Sequence, residues 1–358
     1  MNPLNLPPAY PIVVEGNIAD SLSLFLSRQH YSQLFVLCDT HTQQHCYPLL
    51  QASLPAHHLI SIPAGEAHKT LDTCRQIWEQ LTAHAADRSA LLINLGGGVL
   101  CDMGGFCAAT YKRGIRFIHC PTTLLSQLDA SIGGKLGVDF MGLKNHIGVF
   151  QDPLAVFIGT VFLQTLPSRE ITAGFAEHIK HLLIADEAGW QELLQADSLP
   201  IHPATIARSL GIKAGIVAAD PHEKGLRKAL NFGHTIGHAL ESYFLQSRQA
   251  LLHGEAVALG IKAEAYISLQ RGYIQPGEYR QIAALIDAHY PAVTLNKEDM
   301  KAIATLCVQD KKNEGGKILC TLLGDIGKVR INEAVSKEEI EQALLQINVP
   351  VQIHGNHE

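Results

Sequence analysis

The chain has 358 residues, a hydrophobic fraction of 47%, a charged fraction of 17% and a formal net charge of −6. This length predicts two domains, and the composition excludes an extensively disordered protein. The sequence has no cluster of Lys or Arg, no apolar stretch near the ~20 residues of a membrane span and no signal-peptide pattern, so we expect a cytoplasmic protein without a nucleic-acid or membrane partner.

The N-terminal half alternates short β-rich runs with helical periodicity. A helical pattern covers residues 70–86, as in "TLDTCRQIWEQLTAHAA". The apolar runs that predict strands are at residues 34–38, 58–62, 90–95, 116–119 and 155–159. This alternation indicates parallel strands with crossover helices. We therefore predict a Rossmann-like α/β nucleotide-binding domain over residues 1–166.

The composition changes at "LPSRE", residues 166–170. Beyond it, helical patterns predict helices at residues 170–186, 203–219, 231–247, 254–271 and 276–288. The prediction for residues 167–358 is a mainly helical metal- and substrate-binding domain, with the active site in the cleft between the two domains. The eight cysteines form no C-x-x-C pair, which predicts buried thiols rather than a zinc cluster or a disulfide framework.

A glycine-rich turn follows the predicted strand in "LLINLGGG". Glycines between a strand and a helix let the backbone approach a phosphate, which the free N–H groups of the helix then bind. The turn is not G-x-G-x-x-G, so a simple tight turn is the alternative. Asp102 in the next helix either caps that helix or meets a cofactor hydroxyl.

A second glycine-rich segment, residues 121–148, is predicted to be a loop. Lysine charges beside a closely approaching backbone suit a phosphorylated or carboxylated ligand. The alternative is an ordinary solvated loop. The chemically competent residues of this segment are Thr122, Thr123, Asp129, Lys135, Lys144 and Asn145.

The segment "RKALNFGHTIGHALE" places four polar side chains on one face, if a single helix runs through it. These are Arg227, Asn231, His234 and His238. A cation, an amide and two imidazoles on one stripe are more typical of a site than of packing.

Glu177 and Lys180 share a face of the helix predicted in "AGFAEHIKHLLI". An intrahelical ion pair explains them in the simplest way. Glu177 with His234 and His253 would instead give the three protein ligands and one open position of catalytic zinc. A pair made by His234 and His238 is the competing metal assignment.

Nine ordered segments resemble the 3-dehydroquinate synthase family, within the sugar phosphate cyclases. The resemblance extends from about residue 34 to 330, and the blocks are "GEAHK", "GGGVLCDMGGFCAATYKRG", "PTTLLSQLDASIGGK", "LKNHIGVF", "LPSRE", "GFAEHIK", "HEKGLRKALNFGHTIGHALE", "LLHGEAVALG" and "DKK". "GLKN" departs from the usual "GKN", and Leu136 replaces a frequent small polar residue.

The resemblance implies a zinc ion, replaceable by cobalt, on Glu177, His234 and His253. It implies NAD binding by Asp39, Glu66, Lys69, Gly97, Gly98, Asp102, Thr122, Thr123, Asp129, Lys135, Lys144 and Thr165. It implies substrate contacts from Lys135, Asn145, Lys180, Lys213, Glu223, Arg227, Asn231, His238, Lys311 and Lys312, and a homodimer in which Arg113 reaches the partner's site.

The activity implied by the resemblance is conversion of 3-deoxy-D-arabino-heptulosonate 7-phosphate into 3-dehydroquinate and phosphate. The steps would be transient oxidation by NAD, phosphate elimination, reduction, ring opening and aldol closure. Inosose and valiolone synthases are the nearest alternatives, and a metal-dependent polyol dehydrogenase is a more distant one. A non-catalytic nucleotide-binding relative is expected to have lost some of Glu177, His234, His253 and Lys135, and this chain retains all four.

Overall fold

A computed structural model of the chain describes residues 4, 10–141, 143–245, 250–308 and 317–348. Two compact units are present: residues 1–167 with 201–215, and residues 168–200 with 216–358. None of the helices in the described ranges is long and apolar enough to cross a membrane.

A parallel sheet of six strands forms the centre of the first unit. Its spatial order is β1-β8-β5-β4-β2-β3, and every pairing is parallel. The strands are β1 (Ile12–Glu15), β2 (Leu34–Asp39), β3 (His58–Ile62), β4 (Leu91–Gly96), β5 (Arg116–Pro121) and β8 (Ala155–Gly159). This arrangement confirms the predicted α/β class and the five predicted strands, to which β1 is added.

Helices cover both faces of this sheet. They are α1 (Ala19–Leu26), α2 (Thr40–His45), α3 (Pro48–Gln51), α4 (Leu71–Ala83) and α5 (Gly98–Thr110). Alternate residues of β2 enter opposite cores: Phe35 and Leu37 join one buried cluster, whereas Val36 and Cys38 join the other. Strands buried on both faces read as continuous apolar runs, which explains the sequence pattern.

The predicted glycine-rich loop at residues 121–148 is in part wrong. Its second half forms an antiparallel hairpin of β6 (Lys135–Phe140) and β7 (Leu143–Phe150). Leu136 and Val138 are buried and pack into the core beside α5, whereas Lys135 and Phe140 at the two ends of β6 are exposed. The unusual Leu136 therefore fills the space left by Gly105, where an added Cβ would lie 2.5 Å from its Cδ2.

The second unit is mainly helical, as predicted. Its helices are α6 (Ser168–Ala185), α7 (Glu187–Leu194), α9 (His234–Phe244), α10 (His253–Gln270), α11 (Pro276–His289), α12 (Lys297–Val308) and α13 (Lys337–Ile347). Helix α8 (Pro203–Ala219) belongs to the first unit as far as Gly215. The antiparallel pair β9 (Ile318–Asp325) and β10 (Lys328–Val335) was not predicted.

Helix α10 is central to the second unit and contacts α6, α9, α11 and α13. Even its charged residues Glu255, Lys262 and Glu264 are buried. A helix that is buried all round lacks a clear amphipathic stripe, and its polar residues must find partners inside the protein. Glu264 finds such partners in the candidate site described below. All eight cysteines are buried thiols, as expected.

Candidate active site

The carboxyl edge of the parallel sheet brings together several predicted cofactor residues. Asp39 ends β2, and Gly97 follows the neighbouring strand β4. From β2 the chain continues outward to β3, whereas from β4 it continues in the other direction to β5. Ligands of open α/β sheets bind in the crevice at such a switch point. The topology thus predicts a ligand beside Gly97.

Gly97 is the N-cap residue of α5. Because glycine has no side chain, it cannot accept a hydrogen bond from the first N–H groups of the helix. A Cβ added at Gly97 would lie 3.0 Å from Thr123 Cγ2, and one at Gly98 would lie 3.3 Å from Ala130 Cβ. Glycine therefore allows the turn to pack closely against the segment after β5. This geometry suits an anion at the helix N-terminus.

Lys69, Asp102 and Asn145 form one connected group. The buried Lys69 ammonium donates to Asp102 Oδ2 at 2.7 Å and to Asn145 Oδ1 at 2.6 Å. Burial raises the pKa of the Asp102 carboxyl, and the Lys69 charge opposes that rise. Asn145 has a φ of 48°, and its amide N–H donates to Asp139 at 2.7 Å. Lys69 thereby joins a predicted NAD residue to a predicted substrate residue.

Lys213 and Asp129 form a second connection in the first unit. The Lys213 ammonium lies 2.8 Å from Asp129 Oδ1 and donates to the Asp129 carbonyl at 2.5 Å. Asp129 is in a short π-helix, Ser126–Ala130, which follows Thr122 and Thr123. The predicted glycine-rich site thus includes a helical turn whose position Lys213 stabilises.

The other predicted residues of the first unit lie at more open positions. Lys144 Nζ is 4.0 Å from Glu66 Oε1, and both side chains are about half exposed. Lys135 begins β6 and is exposed, and Thr165 is exposed at the end of the short 3-10 helix Thr160–Thr165 that follows β8. Asp39 accepts from the Thr42 amide at 2.8 Å and caps α2, so its carboxylate has a structural use as well.

In the second unit, Glu177 and Lys180 form a buried pair. They are three residues apart on α6, their charged groups are in direct contact, and each side chain is 1% exposed. An ordinary surface ion pair is thereby excluded. A carboxylate buried this deeply needs cationic partners, since an isolated buried charge is costly.

Two histidines converge on the same carboxylate. Glu177 Oε1 lies 3.5 Å from His234 Nε2 and 3.9 Å from His253 Nε2. His238 lies beside these two histidines: one nitrogen from each of the three imidazoles lies within 4.8 Å of the others, in a group that does not include Glu177. The residues of both metal assignments that the sequence left open, Glu177 with His234 and His253 or the pair His234 and His238, therefore lie close together in the structure.

Hydrogen bonds to the second ring nitrogen orient two of these histidines. His234 Nδ1 lies 3.1 Å from the Phe232 carbonyl, and His253 Nδ1 lies 3.2 Å from Glu241 Oε2. When Nδ1 donates its proton to an oxygen, Nε2 presents a lone pair, as metal-bound histidines commonly do. In both residues that nitrogen lies toward Glu177.

The donor set fits a tetrahedral zinc ion. Ligands bound to zinc at about 2.0–2.1 Å in a tetrahedron are about 3.3 Å apart. The separations of 3.5 and 3.9 Å from Glu177 Oε1 to the two imidazoles are close to that value. Three protein ligands of this kind leave a fourth position for a substrate oxygen.

The single helix on which a shared face of Arg227, Asn231, His234 and His238 depended is not present. A short 3-10 helix, Leu226–Asn231, is followed by a break, and α9 begins only at His234. Gly233 has a φ of 79°, which favours glycine, and Glu264 accepts hydrogen bonds from the amides of Gly233 and Ile236. The break places His234 in the first turn of α9, next to its turn-forming glycine.

The segment before the break is also internally held. Asp220 accepts from the amides of Gly225 and Arg227, and the first of these contacts lowers the pKa of Asp220 most strongly. The buried Arg227 guanidinium donates to the Pro221 carbonyl at 2.7 Å, while Asn231 donates to Glu223 at 3.0 Å. Three of the predicted substrate residues therefore have defined positions. Lys311 and Lys312 lie outside the described residues.

Two residues that organise this group were missed in the sequence, namely Glu241 and Glu264. Glu241 follows His234 and His238 at helical spacing, so the stripe His-x-x-x-His-x-x-Glu contained a usable signal. Glu264 had none, because its partners lie about 30 residues earlier in a different element.

Most of the chain matches known proteins. The family described as 3-dehydroquinate synthase N-terminal matches residues 59–173, and the one described as 3-dehydroquinate synthase C-terminal matches residues 174–313. A 3-dehydroquinate synthase of Parabacteroides distasonis is 42% identical over 340 residues, which cover 93% of this chain and 96% of the relative.

Solved structures of related cyclases have the same fold. A 2-epi-5-epi-valiolone synthase from Streptomyces hygroscopicus, with NAD+ and Zn2+ bound, is 26% identical with a TM-score of 0.80, covering 95% of this chain and 96% of that one. A 2-deoxy-scyllo-inosose synthase is 23% identical with a TM-score of 0.83, covering 94% and 96%.

Proposed function

The chain belongs to the 3-dehydroquinate synthase family, and from this membership we propose that it converts 3-deoxy-D-arabino-heptulosonate 7-phosphate into 3-dehydroquinate and phosphate. The observation that carries the proposal is the pair of family matches, which together span residues 59–313. The convergence of Glu177, His234 and His253 supports it, because a phosphate-eliminating cyclase of this family needs a site that can acidify a hydroxyl group.

Zinc would be held by Glu177, His234 and His253, with cobalt as a substitute. The two hydrogen bonds at Nδ1 of the histidines favour this set, and the valiolone synthase with a similar fold has Zn2+ bound. His238 is then left for proton transfer or substrate binding. Lys180 contacts Glu177 directly and so supplies a cationic partner for this buried carboxylate.

NAD would bind at the carboxyl edge of the parallel sheet. The α5 N-terminus and the Gly97 turn suit a pyrophosphate, and the valiolone synthase has NAD+ bound. The proposed set is Asp39, Glu66, Lys69, Gly97, Gly98, Asp102, Thr122, Thr123, Asp129, Lys135, Lys144 and Thr165. When bound, NAD accepts and returns a hydride, and zinc acidifies the substrate hydroxyl.

The substrate carries a carboxylate and a phosphate and therefore requires several cationic and polar contacts. The proposed set is Lys135, Asn145, Lys180, Lys213, Glu223, Arg227, Asn231 and His238, with Lys311 and Lys312. Lys213 and Arg227 are the residues that favour a carboxylated substrate over the neutral-headed sugar phosphates of the inosose and valiolone synthases. Both are buried and held by internal contacts, so their charges are oriented before the substrate binds.

We also propose a homodimer to which Arg113 contributes. Arg113 is exposed on a turn where Lys112 and Arg113 have φ values of 49° and 70° and Gly114 has a φ of 110°. This backbone projects the arginine from the surface. A cytoplasmic location fits the eight buried thiols, since reducing compartments preserve thiols.

The decisive experiment supplies the purified chain with the heptulosonate phosphate, zinc and NAD far below the substrate concentration. We expect many turnovers, equal amounts of phosphate and 3-dehydroquinate, and no accumulation of NADH. Stoichiometric NADH would support the polyol dehydrogenase alternative instead. Better turnover of a neutral-headed sugar phosphate would place the chain with the other cyclases.

A further inference from the structure

Glu241 connects the two helices that carry the proposed metal-binding histidines. It lies on α9, seven residues after His234, and its carboxylate reaches across to α10. Glu241 Oε2 is 3.2 Å from His253 Nδ1, and the Glu241 side chain is 12% exposed. One helix thus presents one histidine and orients the other.

We propose that Glu241 is a positioning residue for the metal site: it holds the His253 ring so that Nε2 can bind the ion. This inference rests on the proposed metal site of Glu177, His234 and His253. A ligand histidine that donates its other N–H to a carboxylate is fixed in one tautomer and one ring orientation, and becomes a more basic ligand.

The geometry assigns Glu241 this task rather than direct metal binding. Its carboxylate contacts the nitrogen of His253 that is opposite to the one lying 3.9 Å from Glu177. Direct binding by Glu241 would require it to approach the ion from behind the imidazole. His234 uses the Phe232 carbonyl for the same purpose, at 3.1 Å. The two ligand histidines are therefore oriented by different groups.

The two orienting groups differ in their consequences for mutagenesis. A backbone carbonyl cannot be removed by a side-chain substitution, whereas Glu241→Gln keeps the shape and an oxygen acceptor but removes the negative charge. The His253 side chain is 31% exposed and the His234 side chain 12%, so less protein packs around the His253 ring. We therefore expect the ring orientation of His253 to depend more strongly on its contact with Glu241.

Zinc affinity tests the proposal without any measurement of turnover. Competition against a chromogenic chelator is measured for the unaltered chain, Glu241→Gln, His253→Ala and the double variant. Glu333→Gln is the matched control, because this partly buried carboxylate accepts hydrogen bonds from Arg271 and Tyr273 in another part of the same unit. We expect Glu241→Gln to weaken zinc binding by about 10-fold to 100-fold, with little change in Glu333→Gln.

The double variant and a spectroscopic measurement separate positioning from a general structural effect. If Glu241 acts through His253, adding Glu241→Gln to His253→Ala causes no further loss of affinity. The absorption bands of the cobalt-loaded chain should shift in Glu241→Gln, because the His253 ring would no longer be held in the same orientation toward the ion. Unchanged affinity and unchanged bands would overturn the proposal, as would an equal loss in Glu333→Gln. Tight zinc binding by His253→Ala would instead show that the proposed metal site itself is wrong.

Discussion

The Glu264 carboxylate on α10 accepts a hydrogen bond from the Gly233 amide on the preceding segment, at 2.6 Å. Its other oxygen accepts from the Ile236 amide at 3.1 Å. Glu264 is fully buried, so these two contacts replace water for the carboxylate and for the first turn of α9. His234 is the first residue of that turn, and a carboxylate from a neighbouring helix therefore fixes where this proposed ligand lies.

Replacing Glu264 by Gln should destabilise the second unit. One amide N–H of α9 would face an NH2 group instead of an oxygen, and an unsatisfied buried polar group costs about 1–3 kcal/mol. The urea midpoint of unfolding measures this loss. Glu278→Gln is the control, because Glu278 accepts from the Gln275 amide at 2.6 Å at an exposed helix start. Equal losses in the two variants would contradict the importance of burial.

His119 should make the stability of the first unit depend on pH. It is buried beside Asn94, and burial lowers its pKa to about 3. An unfolded histidine has a pKa near 6.5, so the unfolded chain takes up the proton first as the pH falls. The stability that the neutral, buried His119 contributes is complete above pH ~6.5. The free energy of unfolding should therefore fall by about 2 kcal/mol between pH 7.5 and 5.0.

Urea unfolding at those two pH values, compared with His119→Gln, checks this expectation. The variant loses the titrating group, so its free energy of unfolding should fall less on acidification than that of the unaltered chain. Identical pH dependence in both proteins would mean that His119 does not titrate as its burial requires.

Local sequence patterns predicted the elements whose causes are local. The strand β4 could be recognised because all of its residues from Leu91 to Leu95 are buried and only Asn94 among them is polar. The hairpin of β6 and β7 was missed because its glycines and exposed lysines resemble a loop. Leu136 and Val138 are buried, but Gly137 between them is buried too, so the strand shows no clear alternation.

The candidate metal group was predictable in composition but not in geometry. Glu177, His234 and His253 were recognised as a possible set, and their roles stay predictions. The break before His234 was not predicted, although Gly233, which has a φ of 79°, was a local signal for it. The distant Glu264 also holds the Gly233 amide, and this contact between separate elements leaves no local signal.

Replacing Gly97 by Ala should weaken NAD binding. The added methyl group would lie 3.0 Å from Thr123 Cγ2, so Thr123 or the turn must shift by a few tenths of an ångström, and this shift should disturb the proposed pyrophosphate position. Loss of one hydrogen bond from the backbone to NAD, worth about 1.4 kcal/mol, corresponds to a dissociation constant about tenfold larger. Isothermal titration with NAD measures it. Gly277→Ala, where nothing lies within 4 Å of the added atom, should bind NAD normally.

Removal of the metal should abolish turnover, and zinc or cobalt should restore it. His253→Ala should lose tight zinc binding, because two remaining ligands rarely hold the ion. His238→Ala should keep its zinc while losing activity, if His238 acts on the substrate. Metal content after dialysis separates the two assignments. Loss of zinc from His238→Ala with retention in His253→Ala would instead favour the His234 and His238 pair.

Arg227 is the test of substrate identity. In the proposed site this buried guanidinium pairs with the substrate carboxylate, a group that is absent from the neutral-headed sugar phosphates of the alternative cyclases. Loss of one partner of a desolvated charge pair typically costs about 2–5 kcal/mol, so Arg227→Ala should lower kcat/KM for the heptulosonate phosphate by roughly 30-fold to several thousand-fold. Steady-state phosphate release measures the change, and zinc content should be unaltered.

The control for Arg227→Ala must separate lost recognition from lost structure, since Arg227 also donates to the Pro221 carbonyl at 2.7 Å. Arg227→Lys keeps the charge but loses the planar fork, so it should recover part of the activity with the carboxylated substrate. For a cyclisable sugar phosphate without a carboxylate, if turnover is detectable, Arg227→Ala should have a much smaller effect, because no charge pair is broken. Equal losses with both substrates would mean that Arg227 supports the fold of the Asp220 to Asn231 segment rather than recognising the carboxylate.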